Sequence, residues 1–201
     1  MPTILPVPGN AAPTMSHPPG SIPGMRTDDF WAVIGRATAD RPATPEEVAE
    51  RAVADLAARD PQEIVAWARH LDKVMTASAT EDLWAAAYLI NGGCSDDGFD
   101  HFRGWLIAHG RDALAHAVRA PDSLAELSAV RAAVHTGAVF EAEEVLGVPA
   151  RAYERATGGA LPPPPAPPGR PDPDQLWDFD DEDEMRRRLP RLSELFLEPP
   201  E

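Results

Sequence analysis

The chain has 201 residues, enough for one domain with a real core plus tails. Its formal net charge is −15, which opposes nucleic acid, where clustered cations must meet phosphates, and opposes adsorption to anionic membranes. A single cysteine, Cys94, excludes an internal disulfide and points to a reducing compartment.

Prolines divide the chain. Seven of the 23 fall in residues 1–26, eight in 161–173 and only five in 27–159. Segments so rich in proline cannot pack a core. The expected organisation is a disordered N-terminal segment (1–26), a helical domain (27–159), a Pro-rich linker (160–175) and an acidic C-terminal helical tail (176–201). The N-terminus lacks the basic start and continuous apolar region of a secretory signal, and no apolar run reaches spanning length, so the expected compartment is the cytoplasm. All but one of the 18 basic residues are arginine, and Lys73 is the exception.

Helix signals recur and strand signals are nearly absent. Thr27 can cap a helix with Asp28 and Asp29 in its first turn and Phe30, Val33, Ile34 and Ala37 on one face. Thr44-Pro45-Glu46-Glu47 is a capping box with proline at the first helical position, followed by Val48, Ala52, Val53 and Leu56. Asp60-Pro61-Gln62-Glu63 repeats that opening, with Ile64, Trp67, Ala68 and Leu71 as the apolar face. From about Thr80 to Ile90 the pattern is apolar nearly all round, as in a central buried helix. Asn91-Gly92-Gly93 ends it and Ser95 can cap the next, in which Phe99, Phe102, Trp105 and Leu106 recur until Gly110. Arg111–Val118 reads as a short helix, Pro121–Leu124 as a turn into another, and 138–158 as a last helical segment interrupted at Gly147-Val148-Pro149. In the tail, acids at Asp178–Glu184 precede three arginines, the order a short helix favours, and Trp177, Phe179, Met185, Leu189 and Leu192 give it something to bury on the domain or on a partner. The fold class is all-α, a helical bundle of about six or seven helices.

The densest stretch is INGGCSDDGFDHFRGWL, residues 90–106. It reads as an αα-hairpin corner. It also holds the candidate site. Cys94, just ahead of a helix N-terminus, is a candidate nucleophile, though Asp96 and Asp97 oppose its thiolate. Asp97 and His101, one turn apart, are a candidate acid/base or metal pair, but the spacing matches no calcium or zinc signature and no metal or other cofactor is expected. As a recognition surface, Asn91, Gly92, Gly93, Ser95, Asp96 and Asp97 would favour an amine, guanidinium or basic peptide, with Arg103 as an internal stand-in. The remaining histidines form no close-spaced ligand set, and nothing sets an oligomeric state.

Asp29-Phe30-Trp31, the segment Asp82–Leu114 with its NGGCSDDGF-x-x-FRGWL string, Pro121–Leu124, Ala152-Tyr153-Glu154 and the terminal DEDEMRRRLPRL together resemble the bacterial domain-of-unknown-function family 4240. That resemblance implies a small helical domain and no particular activity. The chain departs from the family pattern at Met75–Thr80, where an aromatic is expected before Asp82-Leu83-Trp84, and at Pro149. Two functions are carried forward. One is a non-enzymatic interaction or regulatory module that binds a basic protein or peptide through the Asn91–Arg103 corner and an acidic surface. The other is an enzyme or biosynthetic accessory with Cys94, Asp96, Asp97 and His101 at its site.

Overall fold

Most helix starts obey the local chemistry read from the sequence. The computed structural model describes residues 25–39, 43–164 and 176–199, so most of the expected N-terminal segment and residues 165–175 of the linker lie outside the described residues. The described helices are α1 (Thr27–Thr38), α2 (Pro45–Ala57), α3 (Pro61–Ser78), α4 (Glu81–Asn91), α5 (Asp96–Ala108), α6 (Arg111–Arg119), a 3-10 helix (Pro121–Glu126), α7 (Ser128–Thr136), α8 (Glu143–Leu146), α9 (Val148–Thr157), α10 (Glu182–Arg188) and α11 (Pro190–Phe196). There is no strand among the described residues. The capping box of α2 forms in both directions, Glu47 N–H to Thr44 Oγ1 and Thr44 N–H to the Glu47 carboxylate, each at 3.3 Å. Asp60 caps α3 through Gln62 N–H at 2.8 Å.

The helices are more numerous and shorter than the expected six or seven, because the chain is broken where glycine or proline punctuates it. Gly110 turns between α5 and α6 at φ 96°, a value glycine reaches without strain. Leu189, placed before Pro190, leaves the helical conformation at φ −129° and ψ 57° and splits the expected single tail helix into α10 and α11. Two further boundaries differ. Thr27 is the first residue of α1 rather than its cap, and Arg26 holds that place, its N–H reaching Asp29 at 3.3 Å. Residues 138–142 are not helical and α8 begins only at Glu143, because the side chain of Asn91 and the carbonyl of His101 take up the backbone there.

α1, α2, α3 and α9 form one side of the core and α5 joins them to α8. Phe30 stacks on Trp67 at 4.7 Å, and the Trp67 indole N–H donates to the Phe30 carbonyl at 3.3 Å. Leu83, Ala85, Ala86 and Ala87 of α4 are fully buried, as the all-round apolar pattern requires. Burying each large side chain stabilises the fold by about 1.5–3 kcal/mol. The other side of α4 meets the 3-10 helix and α11, so the C-terminal segment docks on the same chain.

Candidate functional site at the α4–α5 corner and the face beside it

The corner is built as the sequence suggests. Gly92, at φ 67° and ψ 38°, takes the left-handed conformation that ends α4, and Gly93 N–H reaches back to the Tyr88 carbonyl at 2.8 Å. Ser95 is extended, and its hydroxyl accepts the Gly98 N–H at 3.1 Å. The Asp96 carboxylate accepts Asp97 N–H at 3.0 Å, and both carboxylates lie at the positive end of α5.

Arg103 points inward. It is 1 % exposed, among the largest fully buried side chains. Its guanidinium donates to the Met75 carbonyl at the end of α3, to the Phe99 carbonyl at 3.4 Å and to the Asp100 carboxylate, and lies 4.4 Å from the centre of the Phe99 ring. This side chain ties α5 to the last turns of α3. A charge buried this way needs all of these partners.

Cys94 is half-buried, and its thiol is pushed up to about 12 by burial, by the Glu141 carboxylate and by Asp100, against the opposing pull of Arg103. Its Sγ lies 3.6 Å from the Ser95 carbonyl, and its own carbonyl accepts the Trp84 indole N–H at 3.0 Å. At neutral pH the sulfur is a thiol packed into the corner. Asp96 and Asp97 are exposed and His101 is half-buried, and among the described residues no group of three or more His, Cys, Asp or Glu could hold a metal ion.

Three structural roles in this string escape a reading by spacing. Asn91 clamps Phe140 with both ends of its amide, donating to the carbonyl at 3.3 Å and accepting the N–H at 3.0 Å. Ala142 N–H then reaches the His101 carbonyl at 2.9 Å. Gly104 lies against that same residue, and a Cβ there would collide with the Ala142 carbonyl oxygen. Asparagine and glycine inside an apolar helix were the available signals.

Trp84 links the corner to the face beside it. Its ring stacks on Phe99 at 4.9 Å and meets the edge of Phe179 in the tail at 6.4 Å. Along this face domain carboxylates accept from tail donors, and Tyr88 donates the other way, to a tail carboxylate. Trp177 N–H donates to Glu81 at 2.7 Å, and Arg188 pairs with Asp82 at 3.0 Å while lying over the Trp177 ring. Asp122 accepts the N–H groups of Arg191 at 3.0 Å and Leu192 at 2.9 Å, capping α11 from another element. Arg191 also pairs with Glu126, and Tyr88 donates to Asp180 at 2.5 Å, which raises the phenol above its ordinary value. Met185, Leu189 and Leu192 are buried beneath. Yet Trp177 Nε1 and Ser193 Oγ on the tail, with Ser123 Oγ and Thr80 Oγ1 on the domain, are buried without a hydrogen-bond partner among the described residues.

The family model described as a protein of unknown function, DUF4240, matches residues 25–155, and the chain belongs to that family. No curated protein and no solved structure matches it. The matched span contains the whole corner and ends before the tail, so the terminal DEDEMRRRLPRL lies outside it. Among the described residues no helix is long and apolar enough to cross a membrane.

Proposed function

We propose that this member of the family is a non-enzymatic interaction module, acting in the cytoplasm, whose binding face is the acidic surface of α4 and the 3-10 helix next to the corner. The tail on that face is a built-in example of what it takes: two short helices, the first ending in arginines, with an aromatic lead-in and Met185, Leu189 and Leu192 buried along them. The observation that carries the reading is this tail, seated through Arg188 on Asp82, Arg191 on Glu126 and backbone N–H groups on Glu81 and Asp122. A basic amphipathic partner helix would meet the same groups. Trp177 Nε1 and Ser193 Oγ are buried without a partner in the seated tail, and each opposes docking by about 1–3 kcal/mol, so a partner helix without such orphaned groups can displace it.

The alternative, chemistry at Cys94, Asp97 and His101, has less behind it. A thiol held near 12 is a poor nucleophile, and Arg103 is occupied inside the fold. Within the corner, Asp96 and Asp97 remain as an exposed acidic margin.

The test uses a fluorescent peptide spanning Leu176–Pro199. A tethered tail competes at an effective concentration on the order of millimolar, so the natural chain should bind the peptide weakly. A Met185→Asp/Leu192→Asp chain, with its own tail undocked, should bind it well, and a further Asp82→Ala/Asp122→Ala change should remove most of that affinity. Equal binding to the natural and undocked chains, or none to a folded undocked chain, refutes the reading.

A further inference from the structure

A second feature lies on α3, where Val65, Ala66, Arg69, His70 and Lys73 recur at helical spacing along one stripe. Together with Met25, just ahead of α1, they line a cavity of about 290 Å³. Half-buried Met25, Val65 and Ala66 make the apolar part of its lining, and exposed Arg69 and Lys73 the cationic part.

The cations are unusual for this chain. Acids outnumber basic residues 33 to 18, and most described arginines are held by a carboxylate, as Arg36 and Arg59 are by Asp55 and Arg111 is by Asp28. Arg69 and Lys73 are exposed and make no hydrogen bond or ion pair among the described residues. They stand one helical turn apart, a like-charge arrangement that works against the helix unless an anion sits between them. His70 is fixed beside them by stacking on Phe30 at 4.9 Å. Burial, and then Lys73, hold its imidazole below the ordinary value, so at neutral pH it offers one ring N–H and no charge.

Among the described residues no carboxylate of the chain pairs with either cation. Residues 1–24, which lead into Met25, contain no aspartate or glutamate, and the described acidic tail is seated on α4 and the 3-10 helix. A net charge of −15 repels polyanions and anionic bilayers, but a small ion feels mainly the charges nearest to it. The cavity volume suits a small molecule with an apolar body. We infer that this cavity binds a small organic oxyanion, its phosphate or carboxylate held by Arg69 and Lys73 and its body lying on Val65, Ala66 and Met25. The site is separate from the tail-bearing face and does not depend on the reading given to that face.

The experiment is a ¹H–¹⁵N NMR titration of the full chain with phenyl phosphate, benzoate and benzyl alcohol. Either anion should give saturable shifts in the amides of residues 62–73, and the neutral alcohol should not. The tighter of the two anions identifies the head group. Arg69→Gln/Lys73→Gln should weaken binding about tenfold or more, while Arg69→Lys/Lys73→Arg should retain it. Both side chains are exposed, so the variants keep the fold, and their spectra check this directly. No saturable shift from either anion up to about 10 mM, equal binding of the alcohol, or a Gln variant that binds as well as the natural chain overturns the proposal.

Discussion

Arg103→Met replaces the buried guanidinium with an apolar side chain of similar length. In the natural chain the guanidinium satisfies the Met75 carbonyl, the Phe99 carbonyl and the Asp100 carboxylate from a position 1 % exposed. Removing one partner of a buried pair costs about 3–5 kcal/mol, because the other charge stays behind. The Asp100 side chain keeps 22 % exposure, so water recovers part of that loss and about 3 kcal/mol is expected. A domain of this size has about 5–15 kcal/mol in all, so the variant should still fold but melt some 6–12 °C lower. Urea unfolding followed by tryptophan fluorescence measures the loss. Adding Asp100→Asn removes the stranded charge and should recover about 1 kcal/mol or more, which a double-mutant cycle resolves. Asp96→Ala/Asp97→Ala, at exposed first-turn positions, should cost no more than about 1 kcal/mol. An Arg103→Met chain within about 1 kcal/mol of the natural one would refute the reasoning: the guanidinium would not be the internal tie, and the corner would again be open as a recognition surface.

The other predictions concern neighbouring groups. With its thiol pushed up to about 12 from an ordinary 9, Cys94 should react with iodoacetamide at pH 8 about 10³-fold more slowly in the folded than in the urea-unfolded chain, and a ratio below about tenfold would contradict the burial. The sign for stability follows: a raised folded value favours the neutral thiol, so its contribution is complete below about pH 9 and is lost as pH rises from about 9 toward 12. Gly104→Ala forces a Cβ against the Ala142 carbonyl, and chemical denaturation should register a loss of about 1–3 kcal/mol, whereas Gly35→Ala, with open space around it, should not destabilise. Asp122→Ala removes the outside cap of α11 and should weaken tail docking by about 1 kcal/mol, read as faster hydrogen exchange at residues 185–196 with exchange in α1–α3 unchanged.

The sequence carried the local rules well. Thr44, Asp60 and Ser95 are caps, and Gly92 is the left-handed stop, because capping depends on residues within one turn of each other. The apolar faces of α1 and α2 were legible for the same reason. What was not legible depends on partners far along the chain. Asn91 and Phe140 are 49 residues apart, and Asp122 and Leu192 are 70 apart. No periodicity reports such pairs. Arg103 shows the limit best: its polar neighbours suggested a surface role, and only the approach of Met75, 28 residues upstream, turns the charge inward.

The matched family span and the chemistry divide the molecule in the same place. Inside residues 25–155, six residues of the string that looks most like a site have structural roles: Gly92 and Gly93 turn the chain, Ser95 caps, Asn91 clamps, Arg103 ties and Gly104 permits a close crossing. Each of these six answers to a bond, a turn or a collision, so a shared fold alone is enough to demand it. The tail lies outside that span, yet it lies on the family domain, and it does so on α4, the helix that leads into the corner. Trp84 serves both, closing the corner through Phe99 and the Cys94 carbonyl while offering its edge to Phe179. Loosening the corner therefore moves a wall of the face on which the tail sits. If the face binds in trans, Arg103→Met should weaken peptide binding to the undocked chain beyond what its stability loss explains, whereas Gly104→Ala, acting on the α8 side, should leave that affinity unchanged.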